Sequence, residues 1–315
     1  MAKNNTKKNP WLQAARLRTL PLSVSGVIAG SFIARWKLRQ NGEHWDWLIF
    51  ALAMLVTLLY QILSNYANDY GDGIKGTDKL RVNEAEQRVV SSGRVTEKQM
   101  RTAVILMSAV SFIATVALLW RAFAPDFGRD FWIFIGLGIA CILAALGYTI
   151  GKKPYGYLGL GDLMVFLFFG LVSVCGSYFL FTKSFEWQIL LPASAIGMMS
   201  AAVLNLNNMR DIESDRVSGK KSLALRIGYR NAMLYQMLLM QLPLLLILVW
   251  LGLQGFFQSG KYYPFIVMIL IFPMMNLRRK ILYIKEPGSL DPYLKQVGIL
   301  TLMMAVLLSA GLNLG

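Results

Sequence analysis

Long apolar stretches dominate this 315-residue chain and limit the folds that it can adopt. About nine of them reach or approach the roughly 20 apolar residues that a helix needs to cross a bilayer. The spanning elements must be helices, because lipid cannot satisfy the open edge of a sheet. We therefore predict an all-α polytopic membrane protein whose helices form a bundle. The predicted spans lie near 20–35, 46–66, 101–121, 131–150, 158–182, 187–208, 231–252, 262–277 and 296–314.

The net charge of +15 suggests a nucleic-acid partner, but the distribution of the charge argues against one. Most Lys and Arg residues fall in the segments that the predicted spans place on one side, which is the positive-inside pattern of membrane proteins. The pattern predicts a cytoplasmic N-terminus, an external C-terminus and no nucleic-acid partner. The exceptions among the 32 basic residues are Arg35, Lys37, Arg39, Arg121, Arg129, Lys183 and Lys261.

Two segments are expected along the chain. Residues 1–19 are predicted to be a cytoplasmic tail followed by an interfacial helix, because apolar and basic side chains are mixed there. Residues 20–315 are predicted to be a single transmembrane domain. Cys141 and Cys175 fall inside predicted spans and His44 is the only histidine, so we expect neither a disulfide nor a zinc site.

Two polar clusters follow the second and sixth predicted spans. The four members of the first cluster occupy positions i, i+3, i+4 and i+7, which lie on one face of a helix. In the second cluster the spacing i, i+3 and i+7 predicts the same arrangement. The members are Asn65, Asn68, Asp69 and Asp72 in the first cluster, and Asn208, Asp211 and Asp215 in the second. Four predicted spans lie between the clusters, so we expect both to face the cytoplasm.

Carboxylates placed this close together at a membrane boundary repel one another and lose hydration. A hard divalent cation offsets both costs, and Mg²⁺ takes one or two carboxylates together with water and phosphate oxygens. The clusters therefore predict Mg²⁺ bound to a diphosphate. Nearby basic residues are candidates for binding the same anion. They are Lys75, Arg88, Lys152, Arg210 and Lys220.

Four stretches of the chain resemble the UbiA superfamily of membrane prenyltransferases. They are RLRTLP at 16–21, QILSNYANDYGD at 61–72, YTIGKKPYGYLGLGD at 148–162 and NLNNMRDIESDRVSGKKSLALRIG at 205–228. Gly76 stands where the general family pattern has a third acid, with Asp78 two residues later. This spacing is similar to the branch that acts on 1,4-dihydroxy-2-naphthoate in menaquinone synthesis.

The resemblance implies nine helices and an aromatic prenyl transfer in a bacterial inner membrane. Its substrates are a polyprenyl diphosphate and 1,4-dihydroxy-2-naphthoate, its surroundings are membrane lipid, and its product is demethylmenaquinone, formed with loss of CO₂. The resemblance also implies catalytic roles for the four acids. Asp69 and Asp72, with Asn65 and Asn68, are expected to hold one Mg²⁺, and Asp211 and Asp215, with Asn208, a second.

Several roles stay open at the level of sequence. Arg16 and Lys152 are both candidates for pairing the carboxylate of the acceptor. Tyr66, Tyr70 and Tyr148 are candidates for cation–π stabilisation of an allylic cation. A different acceptor, such as 4-hydroxybenzoate, is the main alternative function. A membrane transporter is a second alternative, although its polar site is expected at the membrane midplane on interrupted helices.

Overall fold

A computed structural model of the protein describes residues 9–75 and 88–314, so Asp78 and the first eight residues lie outside the described part. Regular structure is helical throughout that part, as predicted. We number the helices α1 (Pro10–Ala15), α2 (Leu20–Gln40), α3 (Trp47–Lys75), α4 (Glu97–Phe123), α5 (Arg129–Gly147), α6 (Gly161–Thr182), α7 (Leu190–Arg210), α8 (Ile212–Val217), α9 (Leu223–Leu253), α10 (Ile271–Leu282) and α11 (Asp291–Asn313). Short 3-10 segments cover Leu17–Thr19, Tyr155–Leu158, Trp187–Ile189, Tyr263–Leu270 and Pro287–Leu290.

Within the described residues, 7 helices are long and apolar enough to cross a membrane. They are α3, α4, α5, α6, α7 with its preceding 3-10 turn, α9, and α11 with its preceding turn. The other two predicted spans fall on α2 and on the 3-10 segment that leads into α10. Helix α2 carries Arg35, Lys37 and Arg39 near its end, and α10 carries Arg278, Arg279 and Lys280. Nine spans therefore stays a prediction.

Helix α3 continues well past the predicted end of its span, to Lys75. The polar residues that follow the apolar run are thus part of the same helix, and the first cluster does lie along one face. The second cluster differs from the prediction. Helix α7 ends at Arg210, Asp211 has φ −91° and ψ 11°, and α8 begins at Ile212. Because the backbone leaves helical values at Asp211, Asn208 and Asp215 belong to two different helices.

The helices pack around α7. Within the span Trp187–Arg210, 67% of the residues are buried inside the protein, against 11% for α5, so α7 is central and α5 is mostly turned outward. Helices α6, α9 and α11 pack directly on α7, while α2 contacts α3, α6 and α11. Helices α3, α4 and α5 all contact one another. The arrangement leaves a cavity between the helices, described below.

Helix α6 approaches α7 through a π-helical segment, Phe166–Val172. Such segments are rare and frequently lie at functional sites. A Cβ atom on Gly170 would lie 2.5 Å from the Cα atom of Gly197 and 2.7 Å from the carbonyl oxygen of Ala193. The crossing is therefore only possible because glycine occupies both helices, as is common in membrane helix packing.

We predict that Gly170→Ala destabilises the protein by about 1–3 kcal/mol, the usual cost of overpacking. The added methyl group would meet backbone atoms, which cannot rotate away. Gly136→Ala on α5 is the matched control, because a Cβ atom there meets nothing within 4 Å. Thermal unfolding of the purified proteins in one detergent measures both changes. Equal transition temperatures for the two variants would contradict the packing argument.

Candidate active site

A cavity of about 800 Å³ opens between α2, α3, α4, α5, α6, α7 and α11. One end is lined by charged and amide side chains that include Asn68 and Asp72 of the first cluster, together with Arg88, Asn207 and Lys220. The members of the second cluster, Asn208, Asp211 and Asp215, do not line the cavity themselves. The remainder is mainly apolar and extends between the helices. The cavity therefore has a charged end, which we call its mouth, and an apolar interior.

Asp72 is the acid of the first cluster that lines the cavity. Its Oδ1 atom accepts a hydrogen bond of 2.7 Å from the hydroxyl of Tyr157. Its Oδ2 atom forms an ion pair with Arg88, and both side chains are nearly buried, at 11% and 10% exposure. A buried carboxylate needs such partners, because an unpaired charge in a low-dielectric site is strongly destabilising. Asp72 thus holds Arg88 at the mouth of the cavity.

Two more residues of this face have contacts that organise the surrounding chain. Asp69 is only 2% exposed, and its carboxylate accepts from the backbone N–H groups of Val89 and Val90 at 3.4 and 3.5 Å. Asn65 donates to the carbonyl oxygen of Ala15 at 2.8 Å. These contacts fasten α3 to the segment after residue 87 and to α1. The metal-binding roles of Asn65 and Asp69 stay predictions.

Arg210 connects the second cluster to the start of α11. Its guanidinium donates to both carboxylate oxygens of Asp211, at 2.7 and 3.0 Å, and to the side-chain oxygen of Asn207 at 2.9 Å. It also forms an ion pair with Asp291. Arg210 is therefore surrounded by oxygen acceptors of the protein, which makes it an organiser of the cluster in addition to a predicted anion ligand.

Lys220 lies where the two clusters meet. Its Nζ atom is 3.3 Å from Oδ1 of Asp215, and the two side chains are largely buried, at 15% and 5% exposure. Burial by itself lowers the pKa of Lys220, but neighbouring groups outweigh this effect and the pKa lies above its usual value. Those groups are Tyr148, Asp215, Asp72 and Asp211. Lys220 is thus a fixed positive charge that interacts with acids of both clusters.

Three of the predicted anion ligands, Lys75, Lys152 and Arg210, do not line the cavity. Lys75 is exposed and donates to the carbonyl oxygen of Thr149 at 2.8 Å, with its ammonium 4.3 Å from the centre of the Tyr157 ring. Lys152 is exposed in the loop between α5 and α6 and does not line the cavity. Among the predicted cations, Arg88 and Lys220 are the ones that reach the cavity wall.

The sequence analysis missed two residues of the site, Tyr157 and Asp162. Asp162 is 4% exposed, and its Oδ2 atom accepts from the amide of Asn208 at 3.4 Å. Both residues lie in the stretch 148–162 that carries the family resemblance, and an acid at the start of an apolar span was an available signal. Tyr157 gave no such signal, because its role depends on a contact with Asp72.

The side-chain oxygens of the site are suitable ligands for a hard cation. Among the described residues, the buried oxygens without a hydrogen-bond partner include Oδ1 of Asp162, Oδ1 of Asn208 and Oδ2 of Asp215. Within residues 9–75 and 88–314, no three acidic, His or Cys side chains are close enough to hold a metal ion by themselves. A cation here would need ligands from water or from a bound substrate, as Mg²⁺ typically does.

These features define a polytopic, all-α membrane protein with a charged site at one end of an apolar cavity. Residues 31–297 match the model of the UbiA prenyltransferase family, and the chain belongs to this family. It is an integral membrane protein and an aromatic prenyltransferase.

Similar proteins of known name cover nearly the whole chain. The 1,4-dihydroxy-2-naphthoate octaprenyltransferase of Haemophilus influenzae is 37% identical over 99% of this chain and 98% of its own. The enzyme of the same name from Escherichia coli is 36% identical over 96% of this chain and 95% of its own.

Solved structures share the fold. A UbiA homolog from Aeropyrum pernix superposes with a TM-score of 0.66 at 16% identity, over 95% of this chain and 98% of its own. A UbiA homolog from Archaeoglobus fulgidus, described as bound to DMAPP and Mg²⁺, has a TM-score of 0.63 at 14% identity, over 96% and 99% of the two chains. At these identities the likeness concerns the fold alone.

We predict that Arg210→Ala lowers the free energy of unfolding by about 3–5 kcal/mol, the cost of removing one partner from a buried ion pair. The change leaves the carboxylates of Asp211 and Asp291 without their shared cation. Arg216→Ala is the matched control, because its ion pair with Glu213 is exposed and such pairs contribute about 0–1 kcal/mol. Denaturant unfolding in detergent compares the two, and a small loss for Arg210→Ala would contradict the proposed organising role.

Proposed function

We propose that the protein transfers a polyprenyl group from a polyprenyl diphosphate to 1,4-dihydroxy-2-naphthoate. The acceptor loses its carboxyl group as CO₂ and keeps both hydroxyl groups, so the immediate product is demethylmenaquinol, the hydroquinone form of demethylmenaquinone. The observation that carries the proposal is the position of Lys220 at the mouth of an apolar cavity, between the acids of both clusters. The names of the two relatives at 36% and 37% identity support the choice of acceptor.

The charged mouth suits the diphosphate. Arg88 and Lys220 both line it, and each is held by a carboxylate, so their positive charges are oriented before the substrate arrives. Preorganised charge at the leaving oxygens lowers the barrier to breaking the allylic C–O bond, since negative charge develops there. The electron pair of that bond leaves with the diphosphate, and the prenyl group becomes an allylic cation.

Mg²⁺ is the cofactor that we propose for this site, where it would supply further positive charge to the leaving diphosphate. The acids and amides of each cluster would hold one ion, together with phosphate oxygens. The residues are Asn65, Asn68, Asp69 and Asp72 on α3, and Asn208, Asp211 and Asp215 near the junction of α7 and α8. The unpartnered oxygens of Asn208 and Asp215 support this assignment.

The positions of the candidate residues favour one of them for pairing the acceptor carboxylate and another for stabilising the allylic cation. Of the two basic residues considered for the acceptor carboxylate, Arg16 lines the cavity and Lys152 does not. The left-handed φ of 49° at Arg16 caps the C-terminal end of α1, where its backbone N–H donates to the carbonyl oxygen of Gln13. We propose that Arg16 pairs the carboxylate.

For the allylic cation, Tyr148 is the candidate that lines the cavity. Tyr66 instead packs against Trp11, with ring centres 5.8 Å apart. A tyrosine ring beside the cation stabilises it through the negative face of the ring. The acceptor ring then attacks the cation, forming the new C–C bond as the carboxyl group departs as CO₂ and its electron pair returns to the ring.

We further propose a single transmembrane domain from residue 20 onward in a bacterial inner membrane. The basic residues concentrate at the end of the bundle that holds the clusters, which supports a cytoplasmic N-terminus and site. The external C-terminus follows from the predicted number of spans.

The first test is prenyl transfer by the purified, detergent-solubilised protein. We expect a labelled polyprenyl diphosphate to react with 1,4-dihydroxy-2-naphthoate in the presence of Mg²⁺, and the reaction to stop when a chelator is added. Product from 4-hydroxybenzoate alone would keep the chemistry and change the acceptor. Failure with both acceptors, from folded protein, would favour the transporter alternative.

The second test is Asp72→Asn, which removes the charge that holds Arg88 and, as proposed, contributes to the metal site. We expect kcat to fall at least about a hundredfold, the typical cost of losing one preorganised electrostatic group. Asp126→Asn is the control, because Asp126 is exposed between α4 and α5. Full activity of folded Asp72→Asn protein would exclude Asp72 from the mechanism.

A further inference from the structure

The loop before α6 and the loop before α9 each carry one side chain of the site. In the α5–α6 loop (148–160), the hydroxyl of Tyr157 donates to Asp72 of the first cluster at 2.7 Å. In the α8–α9 loop (218–222), Nζ of Lys220 lies 3.3 Å from Oδ1 of Asp215 in the second cluster. Both side chains line the cavity. The relative position of the two loops therefore decides how a contact of the first cluster is placed against a contact of the second.

Two hydrogen bonds join these loops at the same residues or their neighbours. The backbone N–H of Lys221, which follows Lys220, donates to the carbonyl oxygen of Tyr157 at 3.0 Å. The Nη2 atom of Arg226, at the start of α9, donates to the next carbonyl oxygen, that of Leu158, at 2.8 Å. Two consecutive carbonyl groups of one loop thus accept hydrogen bonds from the other loop and its helix. Because the Arg226 donor belongs to a side chain, a substitution can remove it and leave the backbone bond in place.

Gly159 allows the two loops to approach each other this closely. Its φ of 73° lies in the left-handed region, which glycine adopts at no steric cost. A Cβ atom at this position would lie 2.6 Å from the carbonyl oxygen of Lys221 and 3.0 Å from Nε of Arg226. The contact with a backbone oxygen cannot be relieved by rotating a side chain. Gly159 in one loop and Arg226 beside the other therefore form what we call the loop joint.

We propose that Arg226 is a positioning residue for the diphosphate site, because the loop joint fixes Tyr157 and Lys220 relative to each other. The inference rests on the proposed function, since it takes a diphosphate to bind at Arg88 and Lys220. Tyr157 contacts Asp72, which pairs with Arg88, so the joint acts on both of these cations. Arg226 is exposed and does not line the cavity. It therefore acts through the loops and makes no contact with the substrate.

The experiment measures the Kd of inorganic pyrophosphate in the presence of Mg²⁺, and the KM values of a polyprenyl diphosphate and of the aromatic acceptor. For Arg226→Ala we expect the pyrophosphate Kd and the KM of the prenyl diphosphate to rise about three- to tenfold, the ratio that corresponds to one hydrogen bond. The KM of the acceptor should stay at its wild-type value. Arg226→Lys keeps a donor and should recover part of the loss. Arg230→Ala is the matched control, because Arg230 is exposed one turn later on α9.

A double-mutant cycle tests whether Arg226 acts through the loop joint. Gly159→Ala disturbs the joint from the other loop and should by itself raise the pyrophosphate Kd. Its control is Gly288→Ala, since a Cβ atom on Gly288 meets nothing within 4 Å. Because both substitutions disturb the same contact, the double variant should lose clearly less affinity than the product of the two single losses.

The outcomes separate the two proposals. An unchanged pyrophosphate Kd in folded Arg226→Ala protein would overturn the positioning role and leave the prenyl transfer standing. Equal losses for the diphosphate and the acceptor, without recovery in Arg226→Lys, would also overturn it, because a general structural defect does not distinguish between substrates. So would losses that multiply fully in the double variant. If the wild-type protein binds pyrophosphate but transfers no prenyl group, the proposed function fails, and the pyrophosphate constants still decide the role of Arg226. Absence of binding of both pyrophosphate and prenyl diphosphate to the wild-type protein would overturn the two proposals together.

Discussion

Ionisable side chains are buried together where α3, α7, α8 and α11 meet, and the geometry of the site depends on how their charges are paired. Three cations are each held by acids: Arg88 by Asp72, Lys220 by Asp215, and Arg210 by Asp211 and Asp291. Taking charges out of water is costly unless each has a partner of opposite sign. Breaking any of these pairs would therefore isolate a charge, and the pair of Arg210 with Asp291 joins the end of α7 to the start of α11.

The same pairing explains how one group of residues serves both stability and chemistry. The acids that hold Arg88 and Lys220 in place also keep these two positive charges at the cavity wall. In the proposed function, a diphosphate would compete for those cations and would leave acids for a divalent ion to bind. Polar side chains such as Tyr157 and Asn208, which contact Asp72 and Asp162, fix the carboxylates in orientation. A site of this kind is ordered before substrate binds, which is the condition for electrostatic catalysis.

Helix packing around the cavity follows a different rule. Between membrane helices, close contact comes from small residues and from good packing, because lipid is as apolar as the protein. Gly170 and Gly197 let α6 approach α7 closely, at a π-helical segment whose residues Phe168 and Phe169 line the cavity. The helices around the cavity also pack through a buried cluster that contains Phe123 and Phe131, whose ring centres are 6.2 Å apart.

Periodicity and composition determined the helices of this protein and the residues that share one face of a single helix. Apolar runs of membrane length predicted the helices, because each helix satisfies its own backbone hydrogen bonds in lipid. The i, i+3, i+4 and i+7 spacing placed Asn65, Asn68, Asp69 and Asp72 on one face, because it depends only on the pitch of one helix. The break at Asp211 was not predicted, since the spacing of the second cluster fits a continuous helix equally well.

The tertiary structure decided which of these residues meet. Tyr157 contacts Asp72 across 85 positions of sequence, and Arg210 contacts Asp291 across 81. No periodic pattern contains such information, because it depends on how whole helices pack. For the same reason the sequence treated Lys152 and Lys220 alike, although one is exposed and the other lies between both acidic clusters. The sequence determined which chemical groups the protein carries, and packing decided which of them share one buried site.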